Sequence, residues 1–329
     1  MNMVINPGFR EYKFHGETWV DEYYAYRENW VKLPELGITS EYPLHIDIET
    51  TNRCNLACPF CVREYMDEGV GDFPEWMFNK ILMEIQPGKV KSMKFNWRGE
   101  PTLFPNLPYF IHMAKNSGII ETAINTNGTR LDEKMAKSLI EAGLDRIIFS
   151  IDSIDPEVYR KQRVGAELET VLDNLYILLM LREEMEMERP YIRVQKIDMP
   201  ETRSENYVGF FQEMGVDSVA INSLKQKDPE KLGAWTAIQC AQPFQRMLVS
   251  FKGDMYPCCQ GNLFKSVGNI ASVTIKEAWH SPTMNYLRDM HHANRQGEIP
   301  QCAKCETTKP GEKDGREGED STKKDGVRS

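Results

Sequence analysis

LHIDIETTNRCNLACPFC, residues 44 to 61, is the stretch on which the reading of this chain turns. Its first part, Leu44–Glu49, has the β-branched and alternating character of a strand. His45, Asp47 and Glu49 share one face of that strand, either lining an interior or buried with partners. The strand runs straight into a loop carrying Cys54-x3-Cys58-x2-Cys61. Downstream, further strand patterns stand at Ser92–Trp97, Thr122–Thr126, Arg146–Ile151, Ile192–Ile197 and Ser218–Ile221. Between them lie helical patterns at 75–85, 106–117, 132–142, 167–183 and 204–214, with Asp132 and Ser204 as N-caps and Gly118, Gly143 and Gly215 as stops.

Strands alternating with helices predict a parallel sheet with right-handed crossovers. Six strands are fewer than the eight of a closed barrel. The expected fold is therefore an α/β partial (β/α)6 TIM-like barrel with an open side, a doubly wound sheet being the alternative. In either, ligands gather at the C-terminal strand ends. The predicted organisation is an N-terminal cap over 1–41, rich in aromatics such as Tyr23, Tyr26 and Trp30, then the barrel over 42–225. A smaller unit over 226–306 is entered through a linker at 226–239, and 307–329 is a tail with too few apolar residues to fold.

The chain has 329 residues and a formal net charge of -9, which disfavours a nucleic-acid partner bound by bulk electrostatics. It contains no run of about 18 apolar residues and no secretion signal, so no membrane partner and a cytoplasmic location are expected. The 8 cysteines cluster as 54/58/61, 240, 258/259 and 302/305, a distribution that favours metal over disulfides. Three thiolates close a cubane on three irons and leave the fourth open, whereas a structural zinc wants four ligands. An open iron can chelate the amino and carboxylate groups of S-adenosylmethionine.

C-x3-C-x2-C at the end of a first strand, with Phe60 just before the last cysteine, resembles the radical S-adenosylmethionine superfamily; a zinc loop with a distant fourth ligand is the competing reading. The resemblance implies a [4Fe-4S] cluster on Cys54, Cys58 and Cys61, with S-adenosylmethionine bound beside it. Gly99 and Glu100, in FNWRGEPTL, match the family's glycine-glutamate motif, the glycine for close backbone approach and the acid for the cofactor's amino group. Asn125 of NTNG and Ser150 of FSIDS resemble the polar strand ends that hold the ribose and carboxylate. Asp152 is assigned to substrate or to capping the next helix. Gln195 shares a strand face with Arg193 and is the better cofactor or substrate candidate of the two.

Cys240, Cys258, Cys302 and Cys305 lie in a region resembling the auxiliary-cluster domains called SPASM and twitch. That resemblance, which runs from about residue 42 to 305, implies one closed auxiliary [4Fe-4S] cluster and so two clusters in all. Cys259 is a spare thiol or the substitute for Cys258, and a zinc ribbon is the competing reading. His291 and His292 read as helix-flanking residues rather than ligands. One open and one closed cluster resemble the arrangement of the 2-deoxy-scyllo-inosamine dehydrogenases. The resemblance implies net oxidation of a carbohydrate-like small molecule, with low-potential electrons from a flavodoxin or ferredoxin. Peptide modification is the second enzymatic reading, and a non-catalytic metal scaffold the third.

Overall fold

The structure, a computed structural model, describes residues 3–5, 20–65, 68–86, 88–223, 240–303 and 305. The predicted linker 226–239 and tail 307–329 lie outside the described residues. A short strand β1 (Met3–Ile5) and a helix α1 (Val20–Leu36) precede the alternating region. Then come β2 (His45–Ile48), α2 (Glu75–Ile85), β3 (Ser92–Lys94), α3 (Leu107–Asn116), β4 (Glu121–Thr126) and α4 (Glu133–Glu141). They are followed by β5 (Arg146–Ser150), α5 (Pro156–Gln162), α6 (Leu168–Glu184), β6 (Tyr191–Asp198), α7 (Tyr207–Met214) and β7 (Ser218–Ser223). The C-terminal part holds α8 (Gln242–Gln245), β8 (Arg246–Val249), β9 (Asp254–Tyr256), β10 (Gly268–Asn269), α9 (Ile275–Trp279), α10 (Pro282–His292) and α11 (Pro300–Ala303).

The strands form one sheet in the order β1-β7-β6-β5-β4-β3-β2-β8-β9-β10. From β2 to β7 every pairing is parallel and every neighbour is consecutive. A doubly wound sheet reverses its strand order midway, so the steady progression selects the open barrel. β1 adds antiparallel to β7, while β8 adds parallel to β2 and continues into the antiparallel β9 and β10. The C-terminal unit thus extends the barrel sheet.

Alternation along β2 explains its position. Ile46 and Ile48 are fully buried in the main apolar core, and His45, Asp47 and Glu49 turn to the opposite face. On the helical side, Phe78 of α2 stacks on Phe110 of α3 with ring centroids 4.1 Å apart and planes 3° from parallel. On the other face, Asp47 meets Lys94 at 3.0 Å, Arg246 at 3.2 Å and His45 at 3.3 Å. Burial alone would raise the Asp47 carboxyl, but Lys94, Arg246 and His45 hold it well below the usual carboxylate range. Helix α1 packs Tyr23 and Tyr26 on Leu44 and Ile120, residues that directly precede β2 and β4, so it covers the N-terminal strand ends.

Two local expectations change. Asp132 caps α4 through Met135 N–H at 2.8 Å, as its sequence position implies, but Ser204 caps nothing. α7 starts at Tyr207 because Pro200–Thr202 form a separate 3-10 turn and Asn206 takes the cap position. The extra helix α5 is capped by Asp155, which accepts from Glu157 N–H at 2.9 Å and Val158 N–H at 3.0 Å. Seven residues are too few to display an amphipathic period, which is why the pattern did not reveal it.

Candidate active site

The cysteine loop leaves the C-terminal end of β2, where Cys58 is buried and Cys54 and Cys61 are half-buried free thiols. Its backbone is tied down from three sides. Asn52 donates to Gly69 O at 2.6 Å and accepts from Gly71 N–H at 2.9 Å, and Ala57 N–H donates to Val164 O at 2.9 Å. On the third side, Glu100 N–H donates to Arg53 O at 2.7 Å. A Cβ on Gly99 would stand 2.1 Å from Thr51 O and 2.7 Å from Arg53 O. The close backbone approach that Gly99 permits is therefore to the cysteine loop. Burial raises the Cys54 and Cys58 thiols.

Glu100 is buried and its carboxylate is aimed by four hydrogen bonds. Oε1 accepts from Thr102 N–H at 3.1 Å, Thr102 Oγ1 at 2.8 Å and Thr126 Oγ1 at 2.7 Å. Oε2 accepts from Asn127 N–H at 2.7 Å and retains a lone pair for one more donor. Burial raises this carboxyl against the pull of those bonds. Asn127, one strand end away, also points Nδ2 at Cys54 Sγ, 3.9 Å off. It was not singled out from NTNG because a turn asparagine has many ordinary uses. Asn125, which was, accepts no role in that contact; its N–H donates to Asn96 Oδ1 at 2.8 Å.

Ser150, Gln195 and Asn222 form a chain across the ends of β5, β6 and β7. Gln195 Nε2 donates to Ser150 Oγ and Asn222 Nδ2 donates to Gln195 Oε1, each at 3.3 Å. Arg193 is lower on β6 and donates to Ser218 Oγ at 3.0 Å. Asp152 is fully buried and does not cap α5, whose N-cap is Asp155. Its carboxylate accepts from Arg163 Nε at 2.5 Å and Ile197 N–H at 2.9 Å. The mouth also holds Glu49, buried with a partner as one of its two readings had it: Arg98 Nε and Nη2 donate to its two carboxylate oxygens at 2.6 and 2.7 Å. Arg98 reaches Glu68 at 2.9 Å as well, and lines a small cleft of about 60 Å³ with Asn52, Arg63, Glu68, Gly69 and Val70.

The second cysteine group converges from three separate segments. Cys240 is pushed up to about 12 by burial, then by Cys305 and Cys259. Cys302 is pushed up to about 12 by burial, Cys240 and Cys305, and Cys258 rises well above the thiol range through burial, Cys259, Cys240 and Cys305. These sulfurs are each other's electrostatic neighbours. Gln242 clamps Cys259, accepting from its N–H at 3.0 Å and donating Nε2 to its Sγ at 3.3 Å. His291 flanks the end of α10 as expected, but it is buried with Nε2 3.5 Å from Cys302 Sγ. Trp97, just past β3, reaches the second group by donating Nε1 to Cys259 O at 2.9 Å.

Among the described residues, no three His, Cys, Asp or Glu side chains stand close enough to grip a single metal ion. Both groups instead offer sets of free thiols, the donor chemistry of iron-sulfur clusters. No helix of the described residues is long and apolar enough to cross a membrane.

The family model described as the radical SAM superfamily matches residues 48–182, and SPASM, an iron-sulfur cluster-binding domain, matches residues 240–306. A tungsten-containing aldehyde ferredoxin oxidoreductase cofactor-modifying protein of Pyrococcus furiosus is 30% identical over 196 residues, 57% of this chain and 53% of that protein. A probable GTP 3',8-cyclase of Methanococcus maripaludis is 36% identical over 132 residues, 38% of this chain and 41% of that protein. The chain spans about half the length of the curated relatives it matches. BtrN in complex with AdoMet and 2-DOIA superposes with a TM-score of 0.55 at 20% identity, covering 82% of this chain and 94% of that one. Streptococcus suis SuiB bound to precursor peptide SuiA gives 0.60 at 14% identity, covering 84% and 73%. Those two likenesses speak for the fold. The first matched domain binds a [4Fe-4S] cluster and S-adenosylmethionine, and the second binds further iron-sulfur clusters. With its cysteine loop following the first barrel strand and its remaining cysteines inside the SPASM match, this chain carries a radical SAM superfamily domain over residues 48–182 and a SPASM domain over residues 240–306.

Proposed function

We propose that this chain is a radical SAM oxidoreductase that dehydrogenates a sugar- or cyclitol-like small molecule. Members of the superfamily are enzymes; the dehydrogenation and its substrate class are the proposal. When bound, the first cluster and S-adenosylmethionine supply a 5'-deoxyadenosyl radical, and the second cluster supplies a one-electron acceptor. In this reading Cys54, Cys58 and Cys61 hold the first cluster, and Cys240, Cys258, Cys302 and Cys305 the second. Phe60, Gly99, Glu100, Asn125, Ser150 and Gln195 shape the cofactor's place, with Glu100 Oε2 accepting from its amino group. Residues 42–225 serve as the catalytic barrel, 226–306 as the auxiliary domain and 1–41 as the cap.

The observation that carries the reading is the Trp97–Cys259 hydrogen bond at 2.9 Å. Trp97 stands two residues before Gly99, so a single bond joins the cofactor strand end to the second cysteine group, a short protein route for an electron. The barrel strands offer the half-buried hydrogen-bonding groups of Ser150, Gln195 and Asn222, which suits a hydroxyl-rich substrate. The likeness to the BtrN complex, which extends over 94% of that chain, points the same way. Free thiols throughout suit the reducing cytoplasm, and a flavodoxin or ferredoxin would deliver the electrons.

Anaerobic reconstitution tests the proposal. About eight irons per chain are expected for two cubanes, with 5'-deoxyadenosine formed under strong reductant. Cys58→Ala should abolish cofactor cleavage, whereas Cys302→Ala should retain cleavage without substrate product. Normal product formation by Cys302→Ala would reject the electron-accepting role. Peptide modification is the second reading, favoured by the likeness to the SuiB complex over 84% of this chain. Turnover of a peptide but of no polyol would select it.

A further inference from the structure

One half-buried cation outside the residues assigned above, its side chain 14% exposed, reaches the first cysteine group. Arg163, at the C-terminal end of α5 and 105 residues from Cys58, places Nη1 4.0 Å from Cys58 Sγ. Its Nε donates to Asp152 Oδ2 at 2.5 Å, and its guanidinium lies 5.3 Å from the centre of the Phe60 ring. Asp152 is itself fixed, because Oδ1 accepts from Ile197 N–H at 2.9 Å. The guanidinium therefore has a held anion behind it, an aromatic ring beside it and the thiol in front.

The backbone repeats the contact. Ala57 N–H donates to Val164 O at 2.9 Å, and a Cβ on Gly165 would stand 3.2 Å from Asn55 O. The turn after α5 thus braces the cysteine loop between Cys54 and Cys58. A guanidinium keeps its charge at any working pH, so the loop carries a permanent positive charge at its middle ligand.

We infer that Arg163 is a positioning residue that sets the reduction potential of the first cluster, donating to the Cys58 thiolate under the aim of Asp152. This rests on the radical SAM reading of the loop. One-electron reduction adds a negative charge to the cluster. A cation and hydrogen bonds at a ligand sulfur stabilise the reduced form more than the oxidised one, and low dielectric strengthens the effect. Arg163 therefore raises the potential.

The test is a redox titration of the reconstituted full-length chain followed by electron paramagnetic resonance, with the first cluster identified as the signal that changes on adding S-adenosylmethionine. Arg163→Met with Asp152→Asn removes both charges, so no buried carboxylate is left unpaired; Arg163→Gln with Asp152→Asn does the same with a polar side chain. Both should shift the reduction equilibrium at least tenfold toward the oxidised form, about 59 mV for a one-electron couple. Arg163→Lys, which keeps the charge, should recover most of that shift, and the second cluster's signal should stay in place. A wild-type potential in either double variant, with its cofactor-responsive cluster intact, would overturn the inference. Failure of the wild-type chain to show a cofactor-responsive cluster at all would instead overturn the reading beneath it.

Discussion

Replacing Gly99 by alanine is the most direct test of how the cysteine loop and the second barrel strand are joined. Gly99 has no left-handed backbone angle, so the substitution adds only a methyl group. That methyl would lie 2.1 Å from Thr51 O and 2.7 Å from Arg53 O, both backbone atoms that cannot rotate aside. Restoring an ordinary carbon-oxygen contact of about 3.3 Å requires the two segments to part by roughly 1.2 Å. The 2.7 Å bond from Glu100 N–H to Arg53 O spans the same gap and would break. Overpacking of this kind costs about 1–3 kcal/mol and the lost bond about 1 kcal/mol more. Urea denaturation of the cluster-free chain should therefore show a loss of about 2–4 kcal/mol. A 1 Å misplacement of Glu100 against the loop should also lower 5'-deoxyadenosine formation by about 100-fold in reconstituted protein. Gly215→Ala serves as the control. Gly215 has φ +89° with nothing within 4 Å of the added carbon, so it should lose only about 1 kcal/mol through backbone strain and cleave the cofactor normally. Wild-type stability and cleavage in Gly99→Ala would refute the reasoning.

Other outcomes follow from the packing and the ionisable groups. Phe78→Ala removes a fully buried ring stacked on Phe110 and should cost about 3–5 kcal/mol by urea denaturation; a loss below about 1 kcal/mol would mean that the α2–α3 contact is not part of the stable core. Tyr159 is fully buried and its hydroxyl has no hydrogen-bond partner among the described residues, so Tyr159→Phe should raise the stability of the cluster-free chain by about 1 kcal/mol, and a loss would show a hidden partner. In the cluster-free chain Cys240 and Cys302 titrate near 12 when folded, against about 8.5 when unfolded. Their stabilising contribution is therefore complete below about pH 8.5 and is lost as pH rises toward 12, and Tyr23 and Tyr26, raised by burial to about 12, add in the same direction above pH 10. The urea midpoint should fall between pH 8 and pH 10.5, and an unchanged midpoint would contradict the burial of these thiols.

Much of the barrel was legible because its signals are short-range. Each of the six barrel strands β2 to β7 stands where an apolar β-branched run stood, and α2, α3, α4 and α6 begin and end within a residue or two of their patterns. Elements without a local period escaped: α5 is only seven residues long, and β1 is three residues whose partner lies in β7. Ser204 misled because a good capping residue reads the same whether or not a 3-10 turn intervenes.

The same division runs through the site. Spacing within one loop was enough to mark Cys54, Cys58 and Cys61 as a group, since seven residues of chain cannot carry them far apart. Gly99-Glu100 was legible as a motif, but the partner of the glycine was not. Only the folded chain shows that Gly99 makes room for the peptide of Thr51, that Asn127 and Arg163 reach the cysteines from 73 and 105 residues away, and that Asp152 serves the arginine. Covalent connection decides what sits side by side within a loop, whereas residues from different β/α units meet only because burying the apolar faces of the helices against one sheet leaves their strand ends a single arrangement.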